Sequence, residues 1–82
     1  MFLHLGGDVV VLKKDVIAIF DVRTKLSPVT KEFIEIAKDE GFIKNISSQN
    51  KEKAYVVTTR EIFLSPISCA TLKKRSEKIF EY

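Results

Sequence analysis

Short apolar runs, many of them β-branched, alternate along this chain with charged or glycine-containing breaks. Phe2-Leu3-His4-Leu5 ends at Gly6-Gly7-Asp8, and glycine's tolerance of positive φ marks that break as a turn. Val9-Val10-Val11-Leu12 suits a strand, Lys13-Lys14-Asp15 interrupts it, and Val16-Ile17-Ala18-Ile19-Phe20 resumes as another. The three pieces are expected to pair as a meander. Ser27-Pro28 then opens a helix. Serine is a favoured N-cap, and proline at the first helical position has no amide hydrogen to leave unpaired. Val29, Phe33, Ile36 and Ala37 share one face at helical spacing, and Gly41 closes the helix. Ile34 lies off that face and widens the apolar arc. It is the candidate oligomer-interface residue, with packing beneath the following segment as the equal alternative.

Phe42-Ile43-Lys44-Asn45-Ile46 reads as a short strand or an extended connection, and Ser47 to Lys53, with Asn50, as an exposed polar loop. Tyr55-Val56-Val57-Thr58 and Ile62-Phe63-Leu64 form a hairpin around Thr59-Arg60-Glu61. Pro66 ends the sheet. Ser68 caps a last helix to about Phe80, with Cys69, Leu72, Ile79 and Phe80 on its apolar stripe and Lys74 and Lys78 opposite. The fold class is therefore α+β: a small, mainly antiparallel sheet, made of an N-terminal three-strand meander and a later hairpin, with two helices. The segments Val10–Ile17 and Val56–Phe63 echo one another, each with a basic residue followed by an acid between two apolar runs. A duplicated hairpin would set Lys14 and Arg60 at equivalent tips, although hairpins share turn chemistry in any case.

At 82 residues the chain makes one domain, residues 1–82, and a domain of this size buries only about 60% of its unfolded surface. Such domains lean on a disulfide, a metal or a partner. With one cysteine, Cys69, and one histidine, His4, the remaining aid is self-association. A lone thiol fits a reducing, cytoplasmic setting. The longest stretch without Asp, Glu, Lys or Arg is Ile62 to Leu72, eleven residues against the roughly 20 of a membrane span. The amino terminus lacks a basic n-region, so no secretory signal is expected. Net charge is +3 and unevenly shared: residues 1–41 carry six basic and seven acidic side chains, residues 42–82 eight and four. The second half is the better surface for an anionic partner, while +3 alone is ordinary for solubility.

Enzymatic constellations are missing from the sequence. Cys69 and His4 lie on or near apolar faces, where a structural role outweighs a nucleophile and its base. There is no GxGxxG, P-loop or H-E-x-x-H, and acid pairs such as Glu32/Glu35 sit on a solvated helix side. No catalytic residue, metal ligand or cofactor is expected. What remains is cationic. Lys13 and Lys14 occupy one turn, Arg60 another, and Lys51 and Lys53 flank the polar loop. Basic groups at loop tips reach phosphates without disturbing a core, and each contact releases counterions. Lys73, Lys74, Arg75 and Lys78 read first as the solvated face of the last helix.

His4-Leu5-Gly6-Gly7-Asp8-Val9-Val10-Val11 and Asp15-Val16-Ile17-Ala18-Ile19-Phe20-Asp21 resemble the bacterial extracellular-matrix regulators of the RemA/RemB family. Ser27-Pro28, Ile62-Phe63-Leu64-Ser65-Pro66 and Thr71-Leu72-Lys73-Lys74-Arg75 agree as well, so the resemblance covers nearly the whole chain and is closer to the RemB branch. It implies a small cytoplasmic, DNA-binding regulator of biofilm-matrix transcription. The implied assembly is a closed ring that holds duplex DNA through repeated arginines, somewhat as a histone core does. Those arginines lie in the turn after the second strand and in the loop before the Val56-Val57 strand. Here the first position falls on Asp15, with Lys14 beside it, and the second reads Gln49-Asn50-Lys51-Glu52-Lys53. Lysine binds phosphate as a point charge without arginine's planar fork.

Two readings follow. In the first, the chain is an oligomeric regulator whose Lys13, Lys14, Lys51, Lys53 and Arg60 contact the DNA backbone. In the second, it is an oligomeric protein-interaction module on the same scaffold that has lost DNA binding.

Overall fold

Gly6 and Gly7, with φ of 125° and 55°, turn the chain back on itself, so Phe2–Gly6 (β1) pairs antiparallel with Val9–Leu12 (β2). The period of two sends Leu3 and Leu5 inward and leaves Phe2 and His4 outside. The computed structural model describes residues 1–23, 26–48 and 51–78, the last two of them by backbone alone. Gln49, Asn50, Ile79 and Phe80, which carry part of the sequence expectations, lie outside the described residues.

Lys13–Asp15 form a single 3-10 turn, and Val16–Asp21 (β3) leaves the first sheet altogether. The expected three-strand meander is thus divided. A helical turn does not return the chain alongside the strand it left, as a two-residue hairpin turn does. β3 pairs instead with Ala54–Thr58 (β5), matching Ile19 to Val56 and Phe20 to Tyr55. The later hairpin is present: β5 is antiparallel to Ile62–Ser65 (β6). The ambiguous segment after Gly41 is a strand, Ile43–Asn45 (β4), running parallel to β6. The second sheet has the order β3-β5-β6-β4, and the fold is α+β and mostly antiparallel.

Both helices start where cap chemistry places them. Ser27 Oγ accepts the Thr30 amide at 3.3 Å ahead of Pro28–Asp39 (α1), and Ser68 Oγ accepts the Thr71 amide at 3.2 Å ahead of Cys69–Lys78 (α2). Beyond α1, Gly41 takes φ 78° and donates to the Lys38 carbonyl.

The four-stranded sheet has a core on each face. Leu3, Leu5, Ala54, Val56, Phe63 and Leu72 form one, beneath the β1–β2 hairpin and α2. Ile34, Ala37, Val57 and Ile62 form the other, beneath α1. Neighbouring strand residues point to opposite faces, so Val56 and Val57 serve different cores, as do Phe63 and Ile62. Ser65 joins the two sheets: its hydroxyl donates to the Leu5 carbonyl at 2.5 Å and accepts the Ile67 amide at 3.0 Å.

Ile34 is a core residue, 7% exposed, whereas Val29, Phe33 and Ile36 are 78%, 48% and 54% exposed. The expected faces are therefore exchanged, Ala37 alone keeping its place. Helical spacing defines the width of an apolar arc, but the line on which the helix meets the sheet selects which part is covered. Small Ala37 lies at that line, and Ile34, one turn earlier, goes in with it.

Candidate nucleic-acid interface

Lys13 and Lys14 ride on the 3-10 turn, and Arg60 on the β5–β6 turn. The Thr59 amide donates to the Asp15 carbonyl at 3.0 Å, which locks the two turns side by side. Thr58 shapes the second turn. Its hydroxyl donates to the Glu61 carbonyl at 2.6 Å and accepts the Glu61 amide at 3.1 Å, leaving Arg60 exposed at the tip. The acid beside Arg60 is engaged elsewhere: Glu61 Oε2 meets Lys44 Nζ on β4 at 3.1 Å. The sequence echo thus ends in two touching turns, although only the second belongs to a hairpin.

Lys51 and Lys53 are exposed at the opposite end of β5. Five residues of strand place them about 17 Å from Arg60. Lys53 is fixed through its backbone, donating to the Ser65 carbonyl at 2.8 Å and accepting the Val22 amide at 3.1 Å. The five candidate positions therefore divide into Lys13, Lys14 and Arg60 at one end, and Lys51 and Lys53 at the other.

The second end has a further cation, one that sequence reasoning does not single out. Arg23, exposed, follows β3, and its amide donates to Asp21 Oδ1 at 2.8 Å while its Nε lies 3.5 Å from the same oxygen. That amide holds the Asp21 carboxyl below the usual aspartate range, and the guanidinium adds to it. The signal available is the Asp-Val-Arg spacing at a strand end, where an aspartate side chain turns back onto the backbone two residues on. On α2, Lys73 and Lys74 are exposed, and Arg75 Nη1 reaches the His4 carbonyl on β1 at 3.5 Å. Among the described residues no group of three or more His, Cys, Asp or Glu is placed to hold a metal, and no helix is long and apolar enough to cross a membrane.

The model of a family named RemA-like, described as extracellular matrix regulatory protein A-like, matches residues 2–75. The chain belongs to the RemA-like family. It is also 42% identical to extracellular matrix regulatory protein B of Bacillus subtilis (strain 168), over 99% of this chain and 96% of that protein. The RemA-like family is one of matrix regulators rather than of enzymes. In this RemA-like chain the backbone carbonyl of Asp15 receives the Thr59 amide, a bond open to any residue at that position, and so joins the two basic turns.

Proposed function

We propose that this chain is a cytoplasmic, non-enzymatic transcriptional regulator of matrix genes that assembles with copies of itself and binds the backbone of duplex DNA. The observation that carries the reading is the junction of two turns from distant parts of the chain, with Lys13, Lys14 and Arg60 on one end of the molecule. Membership of a family of matrix regulators supports it. Lys14 and Arg60 are exposed on their turns, so their contact with phosphate buries no core and gains from counterion release. Lys51 and Lys53 form a second point of contact on the same copy. One copy has few such points, and assembly multiplies them at fixed spacing, converting weak contacts into avidity.

Fluorescence anisotropy with a short duplex at rising salt tests this. The expected result is affinity that falls steeply with salt and is strongly reduced when Lys13, Lys14, Lys51, Lys53 and Arg60 are changed to alanine. Unchanged affinity in that variant would overturn the assignment. A second reading, an interaction module without DNA binding, is favoured by Asp15 standing where the family resemblance puts an arginine. An intact assembly with no DNA affinity at low salt would select it.

A further inference from the structure

Lys31, Glu35 and Lys38 follow one another at steps of four and three residues along α1, so they share one flank of the helix. Phe33 and Ile36 lie on the other flank, with buried Ile34 and Ala37 between the two. Beside the first flank is a cleft of about 670 Å³, whose apolar wall is Val22, Leu26, Ile34 and Tyr55. The sheet explains that wall. Tyr55 on β5 stands opposite Phe20 on β3, and both pack against the core beneath α1. The Val22 amide donates to the Lys53 carbonyl at 3.1 Å, which carries the ladder one step on. Strand alternation then puts Val22, two residues after Phe20, on the α1 side as well. Pro28 lines the cleft at the start of α1 and Lys38 near its end, so the cleft runs about 15 Å along the helix.

The polar groups around it are uncommitted. Among the described residues Lys31, Glu35 and Lys38 enter no ion pair, and the Tyr55 hydroxyl has no hydrogen-bond partner. Two ammonium groups and one carboxylate leave the rim with a positive excess. Lys53, two residues before Tyr55, lies on the same side of the sheet and adds to that excess. The nearby acids do not cancel it. Asp21 pairs with Ala54 on the other side of the sheet and is engaged by Arg23. Glu32 and Asp39 continue round α1 toward solvent and do not line the cleft. Sites for small organic ligands occupy roughly 300–1,000 Å³ and join an apolar lining to a few converging polar groups. This cleft has both.

We propose that the cleft binds a small amphiphilic carboxylate, of which a medium-chain fatty acid is the simplest form. The apolar body lies along Val22, Leu26, Ile34 and Tyr55. The carboxylate accepts from the lysine ammonium groups and the Tyr55 hydroxyl, the donors that have no other partner. Glu35, between the two lysines, sets the charge of the ligand: one negative group finds a cation on either side of it, and a second would be repelled by it. The site stands apart from both turns that carry Lys14 and Arg60, and it requires neither DNA binding nor self-association.

Isothermal titration calorimetry of octanoate, and of neutral octanol, into the full chain tests this. Octanoate is expected to bind saturably and about fivefold more tightly than octanol, as partly exposed charge contacts allow. Lys31→Gln combined with Lys38→Gln alters two exposed positions and should bring octanoate down to the affinity of octanol. Phe33→Asp, on the other flank of α1, should leave both affinities unchanged. Lys38→Gln alone replaces the double variant if that loses its circular-dichroism signature. Heat that never saturates, equal affinity for the two probes, or undiminished octanoate binding in the lysine variant would each overturn the proposal. Loss of binding in Phe33→Asp would do the same, by moving the probe to the outer face of the helix. So would an affinity that falls as protein concentration rises, which would give the cleft to a second copy of the chain.

Discussion

Gly6 occupies a position in the hairpin that is closed to side chains on two counts. Its φ of 125° disfavours any side chain, and an added Cβ would stand 3.0 Å from both Cγ and Cδ of Pro66. Gly6→Ala is expected to cost about 1–3 kcal/mol in chemical denaturation. Gly7→Ala adds a Cβ into open space and carries the backbone cost alone. Asp21 yields a second expectation. Its carboxyl is held low chiefly by the Arg23 amide, so its stabilising contribution is present at neutral pH and is lost as pH falls through the lowered value, below about pH 4. Arg23→Ala keeps the amide, and an NMR titration of that variant should still find Asp21 below its ordinary value. A full return to that value would assign the effect to the guanidinium instead.

At the scale of elements, local chemistry is legible in the sequence and partner choice is not. Ser27-Pro28, Gly41 and Ser68 specify helix ends through bonds that span three or four residues, and each end lies where those residues put it. Strands Val9–Leu12 and Val16–Asp21 are equally plain, yet their pairing with one another does not form. The register of Ile19 with Val56 is decided by a strand far along the chain. The helix face differs from expectation for the same reason: spacing gives an arc, and the sheet selects a part of it. Two substitutions on adjoining turns of α1 measure this. Ile34→Ala removes a buried side chain and is expected to cost about 2–5 kcal/mol. Val29→Ala, exposed, should stay within about 0.5 kcal/mol in the isolated chain. Equal losses would place both residues in one core and contradict the exchange of faces.

For the whole molecule, the candidate cations are readable as residues but not as an arrangement. Nothing short of the sheet topology brings Lys14 next to Arg60 or separates both from Lys51 and Lys53 by the length of β5. Arg23 stays hidden in the sequence because its role depends on where β3 ends. The arrangement has a measurable signature. In a plot of log affinity against log salt, each phosphate engaged adds about 0.9 to the steepness of duplex binding. Replacing Lys51 and Lys53 with alanine should make that plot shallower by about one for each phosphate they engage, with little dependence on DNA sequence. A variant whose affinity falls for one sequence only would point to base readout instead.

The bond from Thr59 to Asp15 sets a condition on when the protein is competent. Its two ends are far apart along the chain, and β5 must dock on β3 before they meet. The cationic end comes into being only once β5 has docked on β3, so under the proposed DNA-binding reading copies cut short of β5 are expected to compete poorly for duplex DNA.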